Sequence, residues 1–202
     1  MERRGYRDRH LHNRLDRNLY DHITQYDIGL VYYYRERYDQ AIQHLLEAQR
    51  LFEQVGTPLE KSKVLNLLGM NYLSLSAYAE SLEYFLSALK IFHDLGEKNQ
   101  EAEVLNNIGQ LYIFLADYQK ASSYLFRSLD SAKLTAHKRC EADALNNLCN
   151  TYCALTEYQK AIDFGLRSAS IYQETGCLNG QAGVLNSVGD AYLSMRDYAQ
   201  AL

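Results

Sequence analysis

Apolar positions along this chain recur with two periods. The short one belongs to a helix. Leu65, Leu68, Gly69 and Tyr72 fall at steps of three and four, and Leu82, Phe85, Leu86, Leu89 and Phe92 repeat the pattern further on. The two stripes are separated only by the stretch from Leu75 to Ala77, a link so short that the helices must be antiparallel neighbours. The long period is 40 residues and never slips. Leu65, Leu105, Leu145 and Leu185 align on it, each followed by an asparagine. So do Gly29, Gly69, Gly109 and Gly189, with Cys149 in the remaining slot. Two tyrosine columns, Tyr32 to Tyr192 and Tyr38 to Tyr198, keep the same register, and Ala41, Ser81, Ala121, Ala161 and Ala201 follow the second. Such a period is the signature of stacked supersecondary units.

Each unit therefore reads as two helices, with small residues such as Gly69 and Ser81 letting them approach closely. Gly56, Gly96 and Gly176, again 40 apart, suit the left-handed position that ends the second helix. Ala136 breaks that column, so the third exit turn is expected to differ. The predicted fold is all-α: a right-handed α-solenoid of antiparallel helix pairs. Its repeats span about 21–60, 61–100, 101–140, 141–180 and a truncated 181–202, behind a basic cap segment at 1–20. The chain stops four residues past Tyr198, so the fifth repeat lacks most of its second helix and the solenoid has no polar end cap. This predicts a fragment of a longer protein.

The pattern resembles the tetratricopeptide repeat. The family signature appears as Leu65–Leu68–Gly69–Tyr72 with Ser81–Phe85, and as Leu105–Ile108–Gly109–Tyr112 with Ala121–Leu125. The resemblance covers about residues 21–202. Two departures stand out: the family's usual period is shorter, and its closing proline is missing. The long repeat with its L-N-N-[IL]-G core looks like the arrays of G-protein-signalling scaffolds. It also looks like bacterial signalling proteins, where such arrays sit beside cyclase, kinase or transcription-factor domains.

Stacked helix pairs make a face lined by the first helices. Let Leu65 be position 4 of its helix. At ~100° per residue, positions 4, 7, 8 and 11 then cluster toward the second helix, while 2, 5, 6, 9, 12 and 13 point the other way. The resemblance implies that this second set binds peptides. Here it is Ile23, Tyr26, Asp27, Leu30, Tyr33 and Tyr34 in the first repeat and Lys63, Asn66, Leu67, Met70, Leu73 and Ser74 in the second. The third gives Glu103, Asn106, Asn107, Gln110, Ile113 and Phe114, and the fourth Asp143, Asn146, Asn147, Asn150, Cys153 and Ala154. The fifth gives Gly183, Asn186, Ser187, Asp190, Leu193 and Ser194. The groove is thus expected to run from aromatic and apolar to amide-rich and acidic. Tyr26, Tyr33 and Tyr34 are rigid anchors. Asparagine carries a donor and an acceptor, so a row of them suits the peptide units of an extended chain. The alternative is that these asparagines bond neighbouring helices and hold the stack. Glu103, Asp143 and Asp190 favour a ligand that is basic toward that end. The family's chaperone-tail clamp needs basic groove residues; only Lys63 matches in kind, so acidic chaperone tails are disfavoured. Quorum-peptide receptors of the broad family use groove asparagines in the way expected here.

Composition narrows the function. The net charge is −4 over 202 residues, but it is uneven. Residues 1–20 hold six arginines and a net +3, with Leu11, Leu15 and Leu19 spaced to face a core. The rest carries −7, which does not attract nucleic acid. No apolar run is long enough to span a membrane, and the N-terminus has no secretory pattern. The cysteines, Cys140, Cys149, Cys153 and Cys177, lack secreted-domain spacing, so the cytoplasm is the expected compartment. There is no P-loop, no H-E-x-x-H, no C-x-x-C and no G-x-S-x-G. Cys149 and Cys153 lie four apart without a second pair at zinc spacing, and Cys149 sits in a packing column. No enzyme, cofactor or metal is predicted. The expected function is a protein- or peptide-binding scaffold recognising an extended peptide or a partner helix. The alternatives are a sensory module of a larger signalling protein and a homodimer through the unfinished fifth repeat.

Overall fold

A computed structural model describes residues 23–196, leaving out the side chains of 54 and 55. The basic segment 1–20 and the last tyrosine of the second column, Tyr198, lie outside the described residues. Helix α1 covers residues 23–34. It is followed by α2 (Tyr38–Val55), α3 (Pro58–Ser74), α4 (Tyr78–Leu95), α5 (Lys98–Phe114), α6 (Tyr118–Leu134), α7 (Lys138–Ala154), α8 (Tyr158–Glu174) and α9 (Leu178–Ser194). Among the described residues there is no strand. The fold is the expected all-α array of antiparallel helix pairs. The described residues divide into two compact units that part between Leu95 and Gly96.

The glycine column works as its spacing implies. A Cβ on Gly69 would lie 2.6 Å from the Phe85 ring, and one on Gly109 would lie 2.6 Å from Leu125. Ser81 adds more than small size: its hydroxyl donates to the Gly69 carbonyl at 2.8 Å and ties α4 to α3. Leu65 and Leu68 are buried as expected. Leu86 is not; it stands 42% exposed on α4. Its column-mates Leu46, Phe126 and Leu166 are exposed too, so this position faces outward in both units.

The fourth repeat inverts the packing. Where the other first helices carry glycine, α7 has Cys149; where their partners carry Leu45, Phe85 or Leu125, α8 has Gly165. A Cβ at Gly165 would meet Val188 at 2.3 Å and the Cys149 sulfur at 3.1 Å. The large residue has changed sides, and Val188 of α9 fills the space left.

Both kinds of turn use a left-handed residue. Between first and second helices it is Glu36, Ser76, Ala116, Thr156 or Arg196, with φ from 55° to 61°. Ala116 shows the closure: its N–H bonds the Ile113 carbonyl and the Asp117 N–H bonds that of Tyr112. At the exit turns Gly96 and Gly176 have φ of 73° and 71°. The expectation that Ala136 would change its turn is wrong. Ala136 adopts φ 54°, and His137 N–H bonds the Ala132 carbonyl just as Cys177 N–H bonds that of Tyr172. Two hydrogen bonds hold the alanine where glycine would sit without strain. The exit turn that differs is the first. Gly56 is extended at φ −82°, ψ 158°, because Pro58 at the start of α3 keeps Thr57 out of the helical region. Thr57 and Glu60 then cap each other's backbone N–H groups.

Candidate functional site

In the second unit α5, α7 and α9 lie side by side, while α6 and α8 pack against them. The face of the first-helix layer turned away from α6 and α8 carries the amide columns. Asn106, Asn107, Gln110, Asn146, Asn147 and Asn150 are all half-buried on α5 and α7, while Asn186 and Asp190 on α9 are exposed. Half burial is what a side chain on a floor between adjacent helices shows: one edge against the neighbour, one toward solvent.

Two of the amides meet. The Asn147 Nδ2 donates to the Asn106 Oδ1 at 3.0 Å, a rung between α7 and α5. The bond uses one end of each carboxamide. It leaves the Asn106 donor and the Asn147 acceptor outside that bond, held in fixed relation. The equivalent rung one repeat on would join Asn146 to residue 187, which is serine. A serine is too short to reach, and the Asn146 Oδ1 is buried with no hydrogen-bond partner. At this one rung the asparagines tie α7 to α5.

The acidic positions behave differently from one another. Asp143 accepts a 2.5 Å hydrogen bond from the Tyr172 hydroxyl. The tyrosine reaches it because Gly180 leaves room: a Cβ there would lie 2.7 Å from the ring. Burial, and then the bond to Asp143, push the Tyr172 phenol up from its ordinary range. Glu103 lies 3.9 Å from the His137 Nε2. Asp190 is exposed on α9. Sequence reasoning missed the Tyr172–Asp143 contact. The signal was a paired break in two columns, tyrosine where α6 has Ala132 and glycine where α7 has Cys140.

In the first unit the aromatic set is partly absorbed into the core. Tyr26, Leu30, Tyr33 and Met70 pack against a cluster that includes Leu45, Phe52, Val64 and Leu67. Leu67, expected in the groove, is only 4% exposed. An apolar side chain at that position turns into the cluster, where its asparagine counterparts stay half out. Tyr34 is the one of these aromatics that stands clear, at 76% exposure, with its ring edge-on to Tyr33 at 5.6 Å. Burial raises the Tyr33 phenol, with Tyr38 and Tyr34 adding to it. Asn66 is half-buried on α3.

Aromatic stacking joins first helices to second ones: Tyr72 on Tyr84 at 5.3 Å, Tyr112 on Tyr124 at 5.5 Å and Tyr152 on Phe164 at 5.4 Å. In the second unit cations cover these stacks, Lys120 over Tyr112 and Lys160 over Tyr152. Among the described residues no group of three or more His, Cys, Asp or Glu is placed to hold a metal ion, and no helix is long and apolar enough to cross a membrane.

Several solved structures share this arrangement. A Rap protein complexed with competence and sporulation factor superposes with a TM-score of 0.80 at 20% identity, over 90% of this chain and 51% of that one. Aspartyl phosphate phosphatase F from Bacillus subtilis gives 0.81 at 15% identity, over 91% and 48%. A signal-transduction ATPase with a tetratricopeptide repeat sensor from Pyrococcus horikoshii gives 0.76 at 19% identity, over 87% and 28%. The chain thus spans about half the length of the first two and less of the third. At these identities the likeness is one of fold. No curated protein matches the sequence significantly. The profile of the tetratricopeptide repeat, however, matches residues 20–93 and 60–133, more than half of the chain. With the columns and helix pairs described above, this places the chain in the tetratricopeptide repeat family.

Proposed function

We propose that the amide-lined face of α5, α7 and α9 binds an extended segment or a helix of a partner protein. The observation that carries this reading is the Asn106–Asn147 rung. It holds a donor and an acceptor in fixed relation on a half-buried floor, and a backbone peptide unit offers the matching acceptor and donor. Affinity from such contacts asks for little sequence specificity. Asp190, exposed at the α9 end, favours a basic residue of the ligand there. Asp143 contributes less, because Tyr172 already occupies one of its oxygens. The first unit, taken by itself, offers an exposed aromatic contact in Tyr34. The protein acts as a cytoplasmic scaffold and needs no catalytic residue.

A second reading is a sensory part of a larger signalling protein. It is favoured by the Rap protein complexed with competence and sporulation factor and by the ATPase with its repeat sensor, both longer than this chain. In that reading the same face holds the ligand, and occupancy changes the activity of a domain elsewhere in the whole protein.

The test is affinity capture from the source lysate with mass spectrometry, comparing wild type with Gln110→Arg plus Asn150→Arg. These two positions flank the rung without taking part in it. A partner caught by wild type and lost by the variant, with helicity unchanged, supports the groove. The same partners on both place binding on another surface and refute it.

A further inference from the structure

The first helices of the second unit run parallel, so residues of equal register form rows across α5, α7 and α9. Three kinds of row share the face turned away from α6 and α8. The middle one is the amide floor. Toward the helix N-termini lie Glu103 and Asp143. Toward the C-termini lie Ile113 and Phe114 on α5, Cys153 and Ala154 on α7, and Leu193 on α9, none of them charged. Phe114 and Leu193 stand 55% and 49% exposed, on either side of the small pair on α7. Large, small, large across three helices makes a shallow apolar trough, and Ile113 and Cys153 rest on the core clusters beneath it. The opposite row stays acidic. Asp143 bonds a phenol, Glu103 lies 3.9 Å from an imidazole nitrogen, and among the described residues neither is paired with a lysine or arginine.

An extended peptide aims its backbone N–H and C=O groups along one axis and its side chains, alternately, along the axis perpendicular to it. A strand whose backbone edge meets the amide floor therefore lays its side chains parallel to that floor. Every second one points to the acidic row, and the others point to the trough. The helix rise puts Glu103 and Phe114 roughly 8 and 9 Å along the axis on either side of the floor's middle, about one long side chain away. We propose that the partner segment is an amphipathic strand of about six residues, apolar side chains alternating with arginine or lysine, because three helices packed roughly 8–10 Å apart span that length of extended chain. Its apolar edge fills the Phe114–Leu193 trough and its basic edge runs along Glu103 and Asp143. This rests on the amide floor holding the backbone, as in the reading above. The backbone contacts ask little of the sequence; the two flanking rows ask for the alternation and set its sign.

The experiment is fluorescence anisotropy of the full chain with three capped, labelled hexapeptides at physiological ionic strength. One alternates leucine and arginine, one holds the same residues as a leucine block and an arginine block, and one alternates leucine and glutamate. The alternating basic peptide is expected to bind roughly tenfold more tightly than the block peptide, and the acidic one not measurably. Ala154→Arg, on the exposed trough floor, and Glu103→Lys, also exposed, are each expected to weaken the alternating basic peptide roughly fivefold with circular dichroism unchanged. Equal binding of the alternating and block peptides, both lost on Gln110→Arg/Asn150→Arg, overturns the strand and leaves the amide floor standing. Binding of the alternating basic peptide that survives Gln110→Arg/Asn150→Arg overturns both. No binding of that peptide, or binding indifferent to Ala154→Arg and Glu103→Lys, overturns the strand.

Discussion

Replacing Ala136 with glycine should stabilise the protein. Ala136 sits at φ 54°, while its counterparts Gly96 and Gly176 occupy the same kind of turn at 73° and 71°. The hydrogen bonds closing the turns at 136 and 176 are the same in pattern, so they cancel in the comparison. What differs is the Cβ. An L side chain in the left-handed region costs roughly 1–2 kcal/mol. Glycine returns about 0.5–1 kcal/mol of that through its freer unfolded chain. The net expectation is a gain of about 1 kcal/mol, or a rise in midpoint temperature of roughly 2–4 °C for a chain of this size. Thermal unfolding followed by circular dichroism reads it directly. Gly176→Ala is the control and should lower the midpoint by a similar amount, because no atom lies near its missing Cβ and backbone strain alone is tested. A lower midpoint for Ala136→Gly, or no effect of Gly176→Ala, would refute the reasoning.

Other outcomes follow from the same structure. Ser187→Asn should complete the missing rung to Asn146 and add about 1 kcal/mol in urea unfolding; no gain would show that the orphaned oxygen is satisfied some other way. A double-mutant cycle of Asn106→Ala and Asn147→Ala should give a coupling of about 0.5–1.5 kcal/mol, and simple additivity would dissolve the rung. Gly165→Leu should destabilise by more than ~2 kcal/mol because its side chain enters the space of Val188 and Cys149, and adding Cys149→Gly should recover part of the loss. Asn71→Leu should stabilise by about 1 kcal/mol in the same assay, since the amide is fully buried with an unpartnered Oδ1 and its column-mate Leu111 is accommodated.

The 40-residue register made the helix pairs legible, because Leu65, Gly69 and Tyr72 and their counterparts each have one packing job that only their residue type can do. Legibility failed where a job could be done in another way. Ala136 lacks glycine's freedom, yet two backbone hydrogen bonds impose the turn on it. Cys149 in the glycine column signals nothing alone; its meaning lies in Gly165, sixteen residues on, where the opposing column breaks. Helical angles placed Leu67 with the groove residues, but geometry only says which way a Cα points, and an apolar side chain bends to the nearer core. The candidate site was legible as a set of positions. Its internal bonds were not, since asparagine at 106 and 147 looks the same whether it waits for a ligand or joins its neighbour. The side of the fold where Asp143 is held by Tyr172 depended on two simultaneous departures, at 172 and 180, that no single column reveals.

The central claim is that the amide face of the second unit, rather than the outer face of its second helices, recognises a peptide segment. Panning a random peptide library on immobilised protein tests this most directly, with three baits: wild type, Gln110→Arg/Asn150→Arg on the amide face, and Leu166→Arg on the exposed outer side of α8. The account predicts a set of peptides enriched on wild type, retained on Leu166→Arg and lost on the amide-face variant. Peptides retained on the amide-face variant and lost on Leu166→Arg would contradict it.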